Sequence, residues 1–348
     1  MRIVVVGATG NVGTSTLTAL ANDPDVETIV GVARRVPARS FPKTEWVAAD
    51  VVSSPLTDIF AGADAVIHLA WLIQPSRDLA LLHEVNVDGS ARVFRAVRDA
   101  GVPALVYASS VGAYSPGPKD RRVDESWATD GIASSYYSRH KAEVERMLDA
   151  FESENPGIRV VRLRPGLIFK REAASEIRRL FAGPLLPTPL LRRGLIPLVP
   201  RVPDLVFQAV HSLDAGEAYR LAATGDARGA FNIAAEPVLD PDELGRLLGA
   251  RPVPLPGAAL RIGADLTWRL HLQPSSPGWV DMALSVPLLD TSRAREELRW
   301  TPKRTAGEAL LELIEGMREG AGTATPPLDP ATSGPGRVRE LLTGVGRT

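Results

Sequence analysis

The sequence contains no cysteine, which excludes disulfides, thiolate metal sites and cysteine nucleophiles together. Histidine is scarce and scattered: His68, His83, His140, His211 and His271 show no metal-ligand spacing and no HExxH helix, so no metal is expected. Neither sign of charge is in surplus. With 40 basic and 41 acidic residues the formal net charge is -1, which leaves no field to hold nucleic acid. The pairs Arg178-Arg179 and Arg192-Arg193 read as solvated charges. No apolar run is long enough to span a bilayer, and the N-terminal run Met1 to Val6 breaks into glycine before it resembles a signal peptide. A cytoplasmic protein with no nucleic-acid and no membrane partner is expected.

The 348 residues are 45% hydrophobic, ample for a large core and about two domains. Short apolar runs alternate with amphipathic segments in the first half. Strands are expected at Ile3 to Val6, Glu27 to Ala33, Glu45 to Ala48, Ala65 to Leu69, Ala104 to Ala108 and Arg159 to Leu163. Helices are expected at Val12 to Ala21, His83 to Ala100 and Ser135 to Phe151. Val- and Ile-rich strands separated by helices indicate an α/β domain, a doubly wound parallel sheet covered on both faces. That Rossmann-type domain is placed at 1–165, with a return segment at about 205–235. A smaller, mainly helical C-terminal substrate-binding part is placed at 166–204 and 236–320, with helices at Pro241 to Leu248, Ala258 to Leu270 and Ala306 to Glu319. The Leu- and Pro-rich stretch between Leu180 and Pro203 reads as an apolar substrate wall, 321–348 as a flexible tail, and Arg337 to Leu342 as a last helical turn.

Three features carry chemistry. The loop Gly7-Ala8-Thr9-Gly10-Asn11-Val12-Gly13 leaves the first strand and opens the first helix. Glycine permits the tight turn and close approach of a pyrophosphate, and the helix N-terminus points free N–H groups at it. At the end of the second strand Ala33 stands where an NAD site usually has an acid, and Arg34 follows. A guanidinium suits a 2′-phosphate, so NADP(H) is favoured over NAD(H). Asp50 and Val51, after the third strand, are placed for the adenine edge, or as a helix cap. Tyr137 and Lys141 stand four apart on one helix face, whereas Tyr136 has no such lysine. An ammonium there would lower the phenol's pKa for proton exchange with a carbonyl or carbinol oxygen. Ser110, better placed than Ser109 at the end of the fifth strand, can donate to that oxygen.

Taken in order, these motifs resemble the extended short-chain dehydrogenase/reductases, also called the NAD-dependent epimerase/dehydratase family, over nearly the whole chain to about residue 320. The resemblance implies a cofactor-lining segment at His68-Leu69-Ala70 and a helix asparagine, Asn86, that supports the lysine through water. It implies nicotinamide contacts at Arg164-Pro165-Gly166, and C-terminal signatures at Phe231-Asn232-Ile233 and Leu289 to Pro302. Ser110, Tyr137 and Lys141 fall on its catalytic positions, and homodimers formed by helices flanking the sheet are common in it. Phe169-Lys170-Arg171 replaces the Tyr-Gly-Pro of nucleotide-sugar enzymes, and Ala234 to Pro237 replaces a glycine-rich stretch. Both departures lean towards a more apolar small-molecule substrate. Net oxidoreduction of a carbonyl/alcohol pair is the leading expectation. Epimerisation or dehydration with a retained cofactor is the alternative, and a non-catalytic dinucleotide sensor a minority one. Trp71, Trp127, Trp268, Arg192 and His271 are guesses for pocket lining, with packing the commoner role.

Overall fold

A computed structural model describes residues 1–73, 78–181, 188, 191, 196–270 and 275–330. Seven strands form the central sheet: β1 (Arg2–Val6), β2 (Thr28–Ala33), β3 (Thr44–Ala48), β4 (Ala65–His68), β5 (Ala104–Ala108), β6 (Arg159–Pro165) and β7 (Gly229–Ile233). All are parallel, in the order β7-β6-β5-β4-β1-β2-β3. Strand side chains alternate between faces. Ile3, Val5, Ile67 and Val106 therefore pack on one layer of helices, and Val4, Val6, Val66 and Leu105 on the other. This is a Rossmann-type α/β fold. The strand order reverses between β1 and β4, which opens a crevice at the carboxyl ends of the strands, where such sheets bind ligands.

The helices that matter below are α1 (Asn11–Ala21), α2 (Gly89–Asp99), α3 (Tyr136–Glu154), α4 (Ala174–Phe181), α5 (Ser212–Thr224), α6 (Gly257–Arg269) and α7 (Gly278–Ser285). Two late helices keep the bounds read from their caps, Pro241–Leu248 after Asp240 and Ala306–Glu319 after the capping box of Thr305 and Glu308.

The structure departs from the sequence reading in three places. The helix expected from His83 to Ala100 is broken: Leu79–His83 gives way to a π-turn at Glu84–Asp88 before α2 begins. An inserted residue of this kind leaves the apolar pattern looking continuous. In the return segment, α5 and β7 complete the Rossmann layers. Phe207–His211, however, joins a separate three-stranded sheet between Leu167–Phe169 and Ala235–Leu239. The C-terminal part thus carries small sheets as well as helices. Arg178 is buried rather than solvated, and Arg179 donates to the Pro327 carbonyl at 2.6 Å. Most of the Leu- and Pro-rich stretch, with Arg192 and Arg193, and all of His271 and Arg337 to Leu342 lie outside the described residues. No helix among the described residues is long and apolar enough to cross a membrane.

Candidate active site

The glycine loop is built by backbone crowding on one side and open space on the other. Gly7 leaves β1 with φ +88°, and a Cβ there would lie 2.6 Å from the Ala70 nitrogen. A Cβ on Gly13 would lie 2.4 Å from the Gly7 carbonyl oxygen, so these two glycines let α1 start hard against the strand. Gly10 differs: a Cβ there would meet nothing nearer than the Gly7 oxygen at 3.6 Å. Its bare side faces a cleft of about 160 Å³ lined by Gly7, Thr9, Gly10, Arg34, Asp50, Val51, Leu69 and Ala70. Asn11, Val12 and Gly13 are set back from that cleft in the first turn of α1. The Asn11 amide donates to the Ile168 carbonyl at 3.1 Å, and its carbonyl accepts from Lys170 at 2.7 Å. Asp50 lines the cleft, and its carboxylate accepts from the Val52 N–H at 2.9 Å in a turn; the helix that follows, Leu56–Phe60, begins after Pro55, so Asp50 is not its cap.

The catalytic candidates meet at the end of β5. Ser110 caps the 3-10 turn Val111–Ala113 by accepting from the Gly112 N–H at 3.0 Å. Ser135 caps α3, and Ser138 ties that helix to the turn by donating to the Gly112 carbonyl at 2.5 Å. A Cβ on Gly112 would strike the Tyr137 ring at 2.9 Å, so glycine lets the ring reach Ser110. The Tyr137 phenol stands beside Ser110, its ring against the turn that Ser110 caps. Burial pushes the phenol up to about 12, and the neighbouring Ser110 hydroxyl draws it only partly back. The expected lowering by Lys141 is not what these residues produce. Lys141 is itself buried and held well below the usual lysine range by desolvation, with Glu145 opposing. Its ammonium donates to the Ala108 carbonyl at 2.7 Å and lies 3.4 Å from the centroid of Trp71.

A family model for the "NAD dependent epimerase/dehydratase family" matches residues 3–180. The chain belongs to this family. An uncharacterised protein of Mycobacterium tuberculosis is 27% identical over 94% of this chain and 86% of its own length. L-arabinose 1-dehydrogenase (NAD(P)(+)) of Haloferax volcanii is 32% identical over 51% of this chain and 70% of its own length. In Stigmatella aurantiaca, 4-hydroxy-2-methyl-3-oxo-4-farnesyl-3,4-dihydroquinoline-1-oxide ketoreductase is 28% identical over 52% of this chain and 54% of its own length. The solved structure of MoeE5 in complex with UDP-glucose and NAD superposes with a TM-score of 0.66 at 25% identity, covering 92% of this chain and 99% of that one.

Asn86, expected to support the lysine, grips the segment after β4: its oxygen accepts from the Leu72 N–H at 2.6 Å and its amide donates to the Leu72 carbonyl at 3.1 Å. Pro165 is buried in β6 and does not line the cleft, and its neighbour Arg164 points into a buried ion cluster. There Arg164 binds Glu145 with two hydrogen bonds of 2.9 Å, and Arg162 reaches the same carboxylate at 3.1 Å. Ser109 donates to Glu145, which separates it from Ser110 at the site. Burial pushes the Glu145 carboxyl up, but Arg164, Ser109 and Arg162 outweigh it and hold the group below the usual carboxylate range. Glu145 also stands one turn beyond Lys141, so the cluster braces the helix that presents Tyr137.

Sequence reasoning missed Trp279, whose ring lies 4.9 Å from that of Tyr137. It also lines a cavity of about 710 Å³ between the catalytic turn, α6 and α7. Of the guessed pocket residues, Trp71 lines the cleft at the glycine loop, while Trp127 packs beside Gly117 and Arg121. Glu176 was missed as well. It lines the dinucleotide cleft from α4, with its Oε2 buried and unpartnered, and burial pushes the carboxyl up to about 7 against the pull of Arg179 and Lys170.

Proposed function

We propose that the chain is an oxidoreductase that prefers NADP(H) and interconverts a carbonyl and an alcohol on a small molecule through Ser110, Tyr137 and Lys141. The observation that carries this reading is the meeting of Ser110 and the Tyr137 ring at the turn after β5, with Lys141 one turn further along the same helix. The cleft fits a dinucleotide: Gly10 leaves room for a phosphate where a side chain would intrude, beside the N-terminus of an eleven-residue helix. Gly7, Thr9 and Gly10 would hold the pyrophosphate, Asp50 and Val51 the adenine, Leu69 and Ala70 the ribose side, and Lys141 the nicotinamide ribose. Arg34, exposed at the end of β2 on the cleft wall, supports the preference for a 2′-phosphate.

When bound, the dinucleotide supplies the hydride, or takes it up in the reverse direction. In reduction the carbonyl carbon gains that hydride and the carbonyl oxygen takes the Tyr137 proton, while Ser110 donates to the same oxygen and holds it in place. A phenol held near 12 keeps its proton at neutral pH. It is therefore poised to give that proton to a carbonyl oxygen. The dehydrogenase and ketoreductase names among the relatives support net redox chemistry. The likeness to MoeE5 favours a second reading, epimerisation or dehydration with the dinucleotide retained.

Tyr137→Phe tests the assignment. It should lower kcat by about 100-fold or more while dinucleotide affinity stays within about twofold. Turnover surviving the substitution would remove Tyr137 from the mechanism.

A further inference from the structure

We infer that the substrate of this reaction is uncharged and largely apolar, and that its apolar portion fills the cavity beneath α6; the inference rests on the oxidoreductase reading above. The first ground is a helix without a core. None of the thirteen residues of α6 is buried, although an isolated helix of that length is marginal in water. Its inner face, with Leu260, Gly263 and Ala264, looks onto the 710 Å³ space instead of onto packed side chains. A Cβ added at Gly263 would meet nothing within 4 Å. α6 meets α7 along one side, through the Arg261–Asp281 pair, and something apolar in that space would give its inner face a second packing partner.

The second ground is continuity with the reacting groups. Val111 follows Ser110 directly and lines the cavity, and Trp279 spans from the cavity wall to the Tyr137 ring. A carbonyl at Tyr137 would thus carry its apolar body into the cavity.

The third ground is what the lining withholds. None of its described residues is charged. Gln208 exchanges hydrogen bonds with the Leu289 backbone at 3.2 and 2.6 Å, and the Thr267 hydroxyl donates to the Gly263 carbonyl at 2.7 Å. The cations next to the cavity are engaged too. Lys119 donates to the Val206 and Ala283 carbonyls at 2.9 and 2.8 Å, and Arg261 pairs with Asp281 at 2.7 Å. Among the described residues a diphosphate buried there would find none of the charge-assisted hydrogen bonds that offset its desolvation.

The test uses the full chain and a series of straight-chain methyl ketones of increasing length, with UDP-glucose as the polar probe. Binding is followed by intrinsic tryptophan fluorescence and by hydrogen exchange of α6. Ketone affinity should rise roughly three- to fourfold per added methylene, with slower exchange in α6, and UDP-glucose should not compete. Gly263→Leu should fill the cavity, weaken the longest ketone at least tenfold, and leave dinucleotide affinity unchanged. Flat chain-length dependence, or UDP-glucose binding that protects α6, would overturn the assignment. Binding is read without turnover, so the two proposals separate. Graded ketone binding with no nicotinamide consumed would remove the reaction and keep the cavity's role. Turnover of short polar carbonyls with flat chain-length dependence would do the reverse.

Discussion

The two ends of the proposed site are built on opposite principles. The dinucleotide end is shaped by backbone: glycines where a Cβ would come within 2.4–2.6 Å of neighbouring main-chain atoms set the loop, and a buried ion cluster at Glu145 braces the helix beside it. The cavity end is shaped by apolar side chains around empty space, under a helix with no fully buried residue. A site that must hold the same charged ligand every time rewards rigid backbone geometry. A site that takes an apolar body needs volume and freedom from charge. The difference teaches that stability and specificity are separable here, with substitutions at the crowded glycines and the ion cluster of the first end costing fold and those in the cavity costing substrate.

The sharpest way to break this contrast is at Glu145. Glu145→Ala leaves the Arg164 guanidinium buried without its bidentate partner, and should destabilise the protein by about 3–5 kcal/mol in denaturant unfolding. The contribution has a pH sign. Glu145 is held below its ordinary range, so the stability is present at neutral pH and lost as pH falls through the folded-state value. An unchanged unfolding midpoint in the variant would show that the cluster braces nothing.

Within the loop, Gly13→Ala and Gly10→Ala should part company. The first drives a Cβ to within 2.4 Å of backbone and should cost stability on the order of 2–4 kcal/mol. The second meets only open space and should leave Tm nearly unchanged while dinucleotide affinity falls roughly tenfold or more. Equal behaviour of the two variants would erase the distinction between crowding and cradle. Arg34→Ala should cost roughly tenfold in NADPH affinity and little in NADH affinity, read by competition titration. Strong NADH preference in the unaltered protein would reverse that part of the account.

The smallest effect concerns Glu176. Its folded-state carboxyl titrates near 7 rather than at 4.5, so the folded chain holds a proton there that the unfolded chain has lost. Stability should therefore fall as pH rises through that window. An ionised Glu176 in the cleft also repels phosphate, so dinucleotide affinity should drop roughly two- to fivefold on passing above pH 7. Glu176→Gln should flatten that dependence, and a slope that persists in the variant would assign it elsewhere.

Legibility in the sequence followed the range of the interactions. The strands, the glycine loop and the pair Tyr137 and Lys141 are local patterns, so periodicity and spacing exposed them. Ser110 was separable from Ser109 only by position at a strand end. The structure gives the physical difference, because Ser109 is bound to Glu145 while Ser110 caps the turn beside the Tyr137 ring. Glu145 looked like one more helix charge, since its partners Arg162 and Arg164 arrive from the next strand. Trp279 reaches Tyr137 from far along the chain, and nothing in the residues around it announces the meeting. The π-turn at Glu84–Asp88 hid inside a continuous apolar pattern, and it is that turn which carries Asn86 to the Leu72 backbone.

The central claim is net oxidoreduction, and the stoichiometry of nicotinamide consumed against product formed over many turnovers tests it most directly. With a long-chain methyl ketone and NADPH the account predicts one nicotinamide oxidised for each alcohol formed. Product accumulating while the nicotinamide absorbance stays constant, with dinucleotide retained on the protein, would contradict it.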